Sequence, residues 1–116
     1  MSERTTTVDL LQGTLATLIL KALSWGPLHG YGIARWIEQV TKASLSIEEG
    51  SLYPALRRLE DRRWVSSTWA LSDTNRRVRV YSLTRQGRQH LRDEATTWMQ
   101  FARAVTLVLR TEPSFV

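Results

Sequence analysis

The chain is 116 residues long, 42% hydrophobic and formally charged +5. That gives it the size for one domain with a modest core and excludes an intrinsically disordered chain. It has no cysteine, which excludes disulfides, thiol catalysis and cysteine-based zinc sites and fits a reducing cytoplasm. Fourteen of its sixteen basic residues are arginine and the pI is near 10.4, the balance of a protein that meets a polyanion.

The excess charge is local. From Ser51 to Arg88 nine arginines oppose Glu60, Asp61 and Asp73, a net of +6, so the rest of the chain nets −1. No apolar run is long enough to cross a bilayer. The opening MSERTTTVDLL lacks the basic start, apolar centre and cleavage site of a secretory signal. A membrane surface suits the basic patch less well than nucleic acid, because no large apolar face adjoins it.

Residues 1–7 read as a frayed polar lead-in. A first helix is expected over 9–24. Asp9 is its N-cap, and Leu11, Leu15, Leu18 and Ala22 form a stripe flanked by Leu10, Ile19 and Leu23. A face this wide needs more than one neighbour, so it should meet another chain as well as its own domain. Trp25-Gly26-Pro27 ends the helix. A second helix starts within Leu28–Ile33, carries Ile33, Ile37 and Val40 on one side with Trp36 beside them, and stops near Thr41–Ser44. Tyr31 at its start is a candidate phosphate contact. The competing reading is a half-buried aromatic that pins the turn.

The third helix lies in Ser46–Val65, SIEEGSLYPALRRLEDRRWV. Ser46 and Glu49 have the spacing of a capping box. Leu52, Ala55, Leu56 and Leu59 recur on one face, which should be buried. Ser51, Tyr53, Pro54, Arg57 and Arg58 lie on the other. Pro54 cannot donate to Gly50, so the early helix should be loosened or kinked there. Two short helices joined by a tight turn to a third have the layout of a helix-turn-helix, whose last helix lies in a DNA groove. Alone, this stretch favours the plainer reading, an amphipathic helix with a solvated basic face.

The period then changes to two. Val65, Ser67, Trp69 and Leu71 alternate with polar neighbours, Ser72–Asn75 is a turn, and Val78, Val80 and Ser82 continue, interleaved with Arg77, Arg79, Tyr81 and Leu83. A two-stranded hairpin with Arg76 and Arg77 at its tip and Arg79 close by, following a helix-turn-helix, is a wing. A solubilising turn would explain exposed charge but not why all of it is positive. Thr84 is the N-cap of a last helix from about Arg85 to Arg110. Leu91, Ala95, Trp98, Ala102, Val105 and Leu109 step along it by four and three, a seam of period 3.5 widened by Met99, Phe101 and Val108. A seam on a terminal helix is expected to meet a second copy, with Leu11, Leu15 and Leu18 of the first helix assisting. The alternative is packing against its own domain.

The blocks LQGTLATLILKAL, LHGYGI, GSLYPALRRLE with Trp64-Val65, and RVYSLTRQG stand in this order across roughly residues 10–92. In them the chain resembles the PadR family of bacterial transcription regulators. The resemblance implies a winged helix-turn-helix, a homodimer formed through the terminal helices, and repression by operator binding. Little follows the last helix, as in the family's short-tailed branch. The family commonly has glycine where Arg63 stands, so Arg63 must adopt a left-handed conformation or the helix must end differently. Val80 replaces a frequent aromatic. Some family members that respond to planar aromatic compounds have a tryptophan similar to Trp98.

These readings give a mostly α fold with a small β-hairpin: a winged helix-turn-helix over 1–83 and a dimerisation helix over 84–116, built as one structural unit. The expected function is a sequence-specific regulator, a repressor that binds a palindromic operator as a homodimer. Its partners are double-stranded DNA, a second copy and, in the finer reading, a small aromatic effector stacked at Trp98. The rival reading of Trp98 is a core residue closing the dimer. The expected location is the bacterial cytoplasm, on the nucleoid when bound. No metal or cofactor is implied, and with two separated histidines and no phosphate loop an enzyme is not expected. A protein-binding winged helix is the rival class.

Overall fold

The computed structural model describes residues 6–7 and 13–113. Its elements in chain order are β1 (Thr6–Thr7), α1 (Thr14–Leu23), β2 (Leu28–His29), α2 (Gly30–Val40), β3 (Leu45–Ser46), α3 (Glu49–Asp61), β4 (Val65–Leu71), β5 (Arg77–Leu83) and α4 (Arg85–Arg110). Mostly helix with a small antiparallel sheet, the architecture is that of a winged helix.

The core follows the apolar stripes. Ile19, Leu20 and Leu23 of α1, Ile33 and Ile37 of α2, Leu52 and Leu56 of α3 and Val65 of β4 are all fully buried. Each contributes about 1.5–3 kcal/mol on leaving water. Helix α1 is central, packed against α2, α3, β5 and α4. The four apolar positions expected of α3, Leu52, Ala55, Leu56 and Leu59, are its four buried residues.

Several local expectations are corrected. Among the described residues α1 begins after Gly13, whose left-handed φ of 85° marks the N-cap. Asp9, Leu10 and Leu11 lie outside the described residues. Thr6 and Thr7 pair in parallel with Leu45 and Ser46, so that part of the lead-in is held. The same pairing takes Ser46 into a strand. The N-cap of α3 is Glu48, without a side-chain cap, and the capping box is absent. Helix α3 runs unbroken through Pro54, because the Gly50 carbonyl left unpaired is on an exposed residue that water can reach. Val40, expected inward, is exposed. It ends α2 just before Lys42 and Ala43 turn the chain with φ of 50° and 63°.

The sheet has three strands in the order β2-β5-β4, one more than expected, because Leu28 and His29 pair with Tyr81 and Val80. The hairpin places Val65 opposite Leu83, Ser67 opposite Tyr81, Trp69 opposite Arg79 and Leu71 opposite Arg77. Tyr81, not Val80, is the buried residue of β5. Burial holds the Tyr81 phenol above its ordinary pKa, while the neighbouring Arg79 draws it down.

The joint between α3, the hairpin and α4 combines backbone hydrogen bonds with a few side chains. Helix α3 ends in a Schellman motif: Trp64 N–H donates to the Leu59 carbonyl at 3.0 Å and Arg63 N–H to that of Glu60 at 2.9 Å. Arg63 takes the left-handed conformation with φ of 64°. The Thr84 side chain caps α4 by accepting from Gly87 N–H at 3.0 Å. Its hydroxyl also reaches the carbonyls of Arg63 at 2.7 Å and Trp64 at 3.0 Å. Gly87 lies so close that a Cβ there would overlap the Trp64 carbonyl. The Trp64 indole stacks on His90 of α4 at 3.6 Å, with the Arg62 guanidinium 5.1 Å from its centre.

Helix α4 is divided. Leu91 is 7% exposed within the core, whereas beyond it Trp98 is 44%, Val105 38% and Leu109 78% exposed, with Met99, Phe101, Leu107 and Val108 also uncovered. This arm gives the molecule its longest extent, 62 Å against 35 and 22 Å.

Candidate nucleic-acid interface

On α3, burying Leu52, Ala55, Leu56 and Leu59 leaves Tyr53, Pro54, Arg57 and Arg58 exposed together, with Ser51 half-buried at the near end. The row is set by the helical period: the face opposite a buried stripe cannot be anything but outward. Tyr53 is oriented by its neighbour. A Cβ on Gly30 would stand 2.7 Å from its hydroxyl oxygen and 2.8 Å from its ring, so glycine at the start of α2 lets the phenol lie against that helix.

Tyr31 is exposed one residue further on, which removes the half-buried alternative. Its hydroxyl accepts from Arg35 Nη1 at 3.2 Å, and the guanidinium lies 5.7 Å from the ring centre. That hydrogen bond, with the charge interaction between the two groups, raises the Arg35 pKa further. Arg35 was not among the residues expected here. Its signal is the spacing of four from Tyr31, which places both side chains on one helix face.

The wing turn is closed by Ser72 N–H to the Arg76 carbonyl at 2.8 Å and Asn75 N–H to the Ser72 carbonyl at 2.9 Å, with Asn75 left-handed at φ 63°. It holds Arg76 and Arg77 out in solvent. Arg79, expected to join them on DNA, is turned toward α3. Its Nε donates to Ser67 Oγ at 2.7 Å and its Nη2 lies 3.5 Å from Glu60 Oε2, while Ser67 Oγ donates to the same carboxylate at 2.5 Å. Trp69, 55% exposed, has the guanidinium carbons of Arg77 and Arg79 at 4.5 and 5.2 Å from its ring centre. Alternation marks Trp69 as a strand residue, and no motif in the sequence assigns it to the site.

Of the residues expected at a subunit interface, Leu15 and Leu91 are 7% exposed and belong to this chain's own core. Of the α1 stripe, Leu15, Ile19, Ala22 and Leu23 are buried as α1 packs against α2, α3, β5 and α4. Leu18 is half-buried against the core, Ala95 and Ala102 are half-buried on α4, and Trp98, Val105 and Leu109 face outward. Leu11 lies outside the described residues. Among the described residues no cluster of histidines and acids could hold a metal, and no helix is long and apolar enough to cross a membrane.

A family model, described as the transcriptional regulator PadR-like family, matches residues 19–93. The chain is similar to a 37.1 kDa protein in a transposon of Streptomyces fradiae, 45% identical over 67% of this chain and 21% of that protein. It is also similar to the negative transcriptional regulator PadR of Bacillus subtilis, 29% identical over 65% of this chain and 41% of that protein. The chain therefore spans about a fifth of the first relative's length and less than half of the second's. A solved transcriptional regulator from Clostridium thermocellum superposes with a TM-score of 0.76 at 28% identity, over 84% of this chain and 95% of that one.

Proposed function

This chain belongs to the PadR-like family of transcriptional regulators, DNA-binding winged-helix proteins and not enzymes, and from that premise we propose that it represses by holding a palindromic operator as a homodimer. The observation that carries the reading is the exposed row Tyr53, Pro54, Arg57 and Arg58, with half-buried Ser51 at its near end, beside a wing tipped by Arg76 and Arg77. Helix α3 enters the major groove, where arginine forks suit guanine edges. Tyr31 holds a phosphate at the start of α2, and the wing arginines hold the backbone or the minor groove. Residues 1–83 serve as the binding unit, and 84–116 as the dimerisation arm.

The second copy is supported by the uncovered seam of α4, in which Ala95, Trp98, Ala102, Val105 and Leu109 lie at the spacing of a two-helix contact, with Leu18 nearby on α1. A two-fold dimer would set two α3 helices about 34 Å apart, one DNA turn. Repression is supported by the Bacillus subtilis relative, a negative regulator. Release by a planar aromatic effector is supported by the half-exposed Trp98 on the seam, where the symmetry mate's indole would face it across the two-fold axis. The location follows as the bacterial cytoplasm, on the nucleoid when bound.

Selecting fragments of host DNA on the purified full chain, then titrating the recovered site at rising salt, tests the proposal. The expected result is an inverted repeat bound at least 10³-fold more tightly than random duplex, with affinity falling steeply as salt rises. Recovery of no common sequence, or binding indifferent to salt, would sink it in favour of a protein-binding winged helix.

A further inference from the structure

We propose that Trp69 is a positioning residue for DNA binding: it holds the Arg77 guanidinium in the cleft between wing and α3, while Glu60 and Ser67 keep Arg79 off the DNA. The inference rests on the reading above, in which the wing meets duplex DNA.

Strand register sets which side chains share a face of the hairpin. Val65 pairs with Leu83, Ser67 with Tyr81, Trp69 with Arg79 and Leu71 with Arg77. Directly paired residues, and residues two apart on a strand, share a face of the sheet. Near the body Val65 and Tyr81 of this face are buried. One step outward Ser67 bonds Glu60 of α3, so the face looks toward α3. Further out the same face carries Trp69, level with the Arg79 that reaches Glu60, and then Arg77, both open to solvent. A protein with one element in the major groove and the next in the adjoining minor groove must straddle the sugar-phosphate strand between them. That strand runs through the cleft into which this face looks.

The two arginines beside Trp69 differ in what else they hold. Arg79 has Ser67 at 2.7 Å and Glu60 at 3.5 Å, so its charge is matched within the chain. Arg77 has the Trp69 ring, at 4.5 Å. An indole satisfies no hydrogen bond of a guanidinium. It restricts the rotamers of the side chain while leaving its N–H donors free for a phosphate. Binding then loses less side-chain freedom than it would with an unrestrained arginine. Trp69 lies outside the hydrophobic core, so the role does not reduce to holding the fold together.

The test titrates the full-length chain against a labelled duplex of mixed sequence over a range of salt. The proteins compared are wild type, Trp69→Ala, Trp69→Phe, Arg77→Ala, Arg79→Ala and the Trp69→Ala/Arg77→Ala double variant. Loss of Arg77 lowers the log–log salt slope by about 0.9 for each wing. Trp69→Ala weakens binding about two- to fivefold for each wing and moves the slope toward that of Arg77→Ala. Trp69→Phe restores most of both. The double variant binds no more weakly than Arg77→Ala, and Arg79→Ala keeps the wild-type slope. A fold defect would lower the active fraction without moving the slope. If Arg77→Ala flattens the slope while Trp69→Ala does not, or if the two losses add, Trp69 does not act through Arg77 and this inference alone fails. If Arg79→Ala flattens the slope as much as Arg77→Ala, the assignment of Arg79 fails. If wild type and Arg77→Ala bind with one slope and one affinity, the wing is not on the DNA and the underlying reading fails too.

Discussion

Two arms leave the helical body, the wing and the outer half of α4, and each carries a half-exposed indole. Trp69 on the wing is flanked by Arg77 and Arg79, and Arg79 is tied back to Ser67 and Glu60. Trp98 on α4 has no cation over it among the described residues, and its neighbours Phe101 and Val105 are uncovered as well. The first arm is completed by its own polar side chains, as a surface that meets a charged, hydrated ligand should be. The second is a stripe of apolar side chains that the described residues of its own chain leave exposed at Trp98, Phe101, Val105 and Leu109, which suits contact with another such stripe. Exposed aromatics therefore mean different things in the two arms, and the polar neighbours tell them apart.

The largest effect that would break this contrast is expected at Val105. A carboxylate in a buried dimer seam costs about 2 kcal/mol or more per copy. The same substitution on a side chain already 38% exposed costs the single chain under about 0.5 kcal/mol. Val105→Asp should therefore sediment as a folded monomer. A sedimentation profile equal to that of a dimeric wild type would show that the α4 stripe is not the contact.

The two arms share one root, and Gly87→Ala attacks it. The added methyl meets a backbone carbonyl, not the end of a flexible side chain. A loss of about 3 kcal/mol is expected from urea unfolding at unchanged m. An unaltered midpoint would mean that α4 is not seated on Trp64 as tightly as described.

The smallest effect separates the two indoles directly. A planar cationic dye should quench Trp98 saturably in the dimer and leave Trp69, already occupied by guanidinium groups, unaffected. Trp98→Ala should remove the saturable part and weaken dye binding by about 1 kcal/mol. Quenching that survives the substitution would assign the dye elsewhere and leave Trp98 as seam packing.

Local chemistry made much of this legible. The Thr84 cap and the 3.5-residue seam bounded α4 at Arg85 and Arg110, and the change to period two bounded the hairpin. The exposed row of α3 followed once its apolar stripe was known. What could not be read depends on partners distant in sequence. Ser46 looks like a cap until Thr6 and Thr7 pair beside it. Val80 and Tyr81 are both acceptable inward residues, and register with β4 and β2 decides between them. Leu15 and Leu91 carry no mark separating a core leucine from an interface leucine. Arg79 reads as one more wing cation until Glu60, nineteen positions earlier, is found against it.

The joint at Trp64 has a consequence for which sequence changes it can absorb. On the α3 side it is built from main-chain carbonyls of residues 63 and 64, which every amino acid supplies; on the α4 side it is built from the Thr84 hydroxyl and the bare Cα of Gly87. Substitution of Arg63 leaves the bonds in place and costs only backbone strain, about 1 kcal/mol at positive φ, whereas Trp64 also holds its stack on His90. Substitution on the second removes a bond or inserts an atom where there is no room. An arginine can therefore occupy a helix terminus suited to glycine without changing the direction in which the wing leaves, and drift at this corner is permitted on one flank and barred on the other.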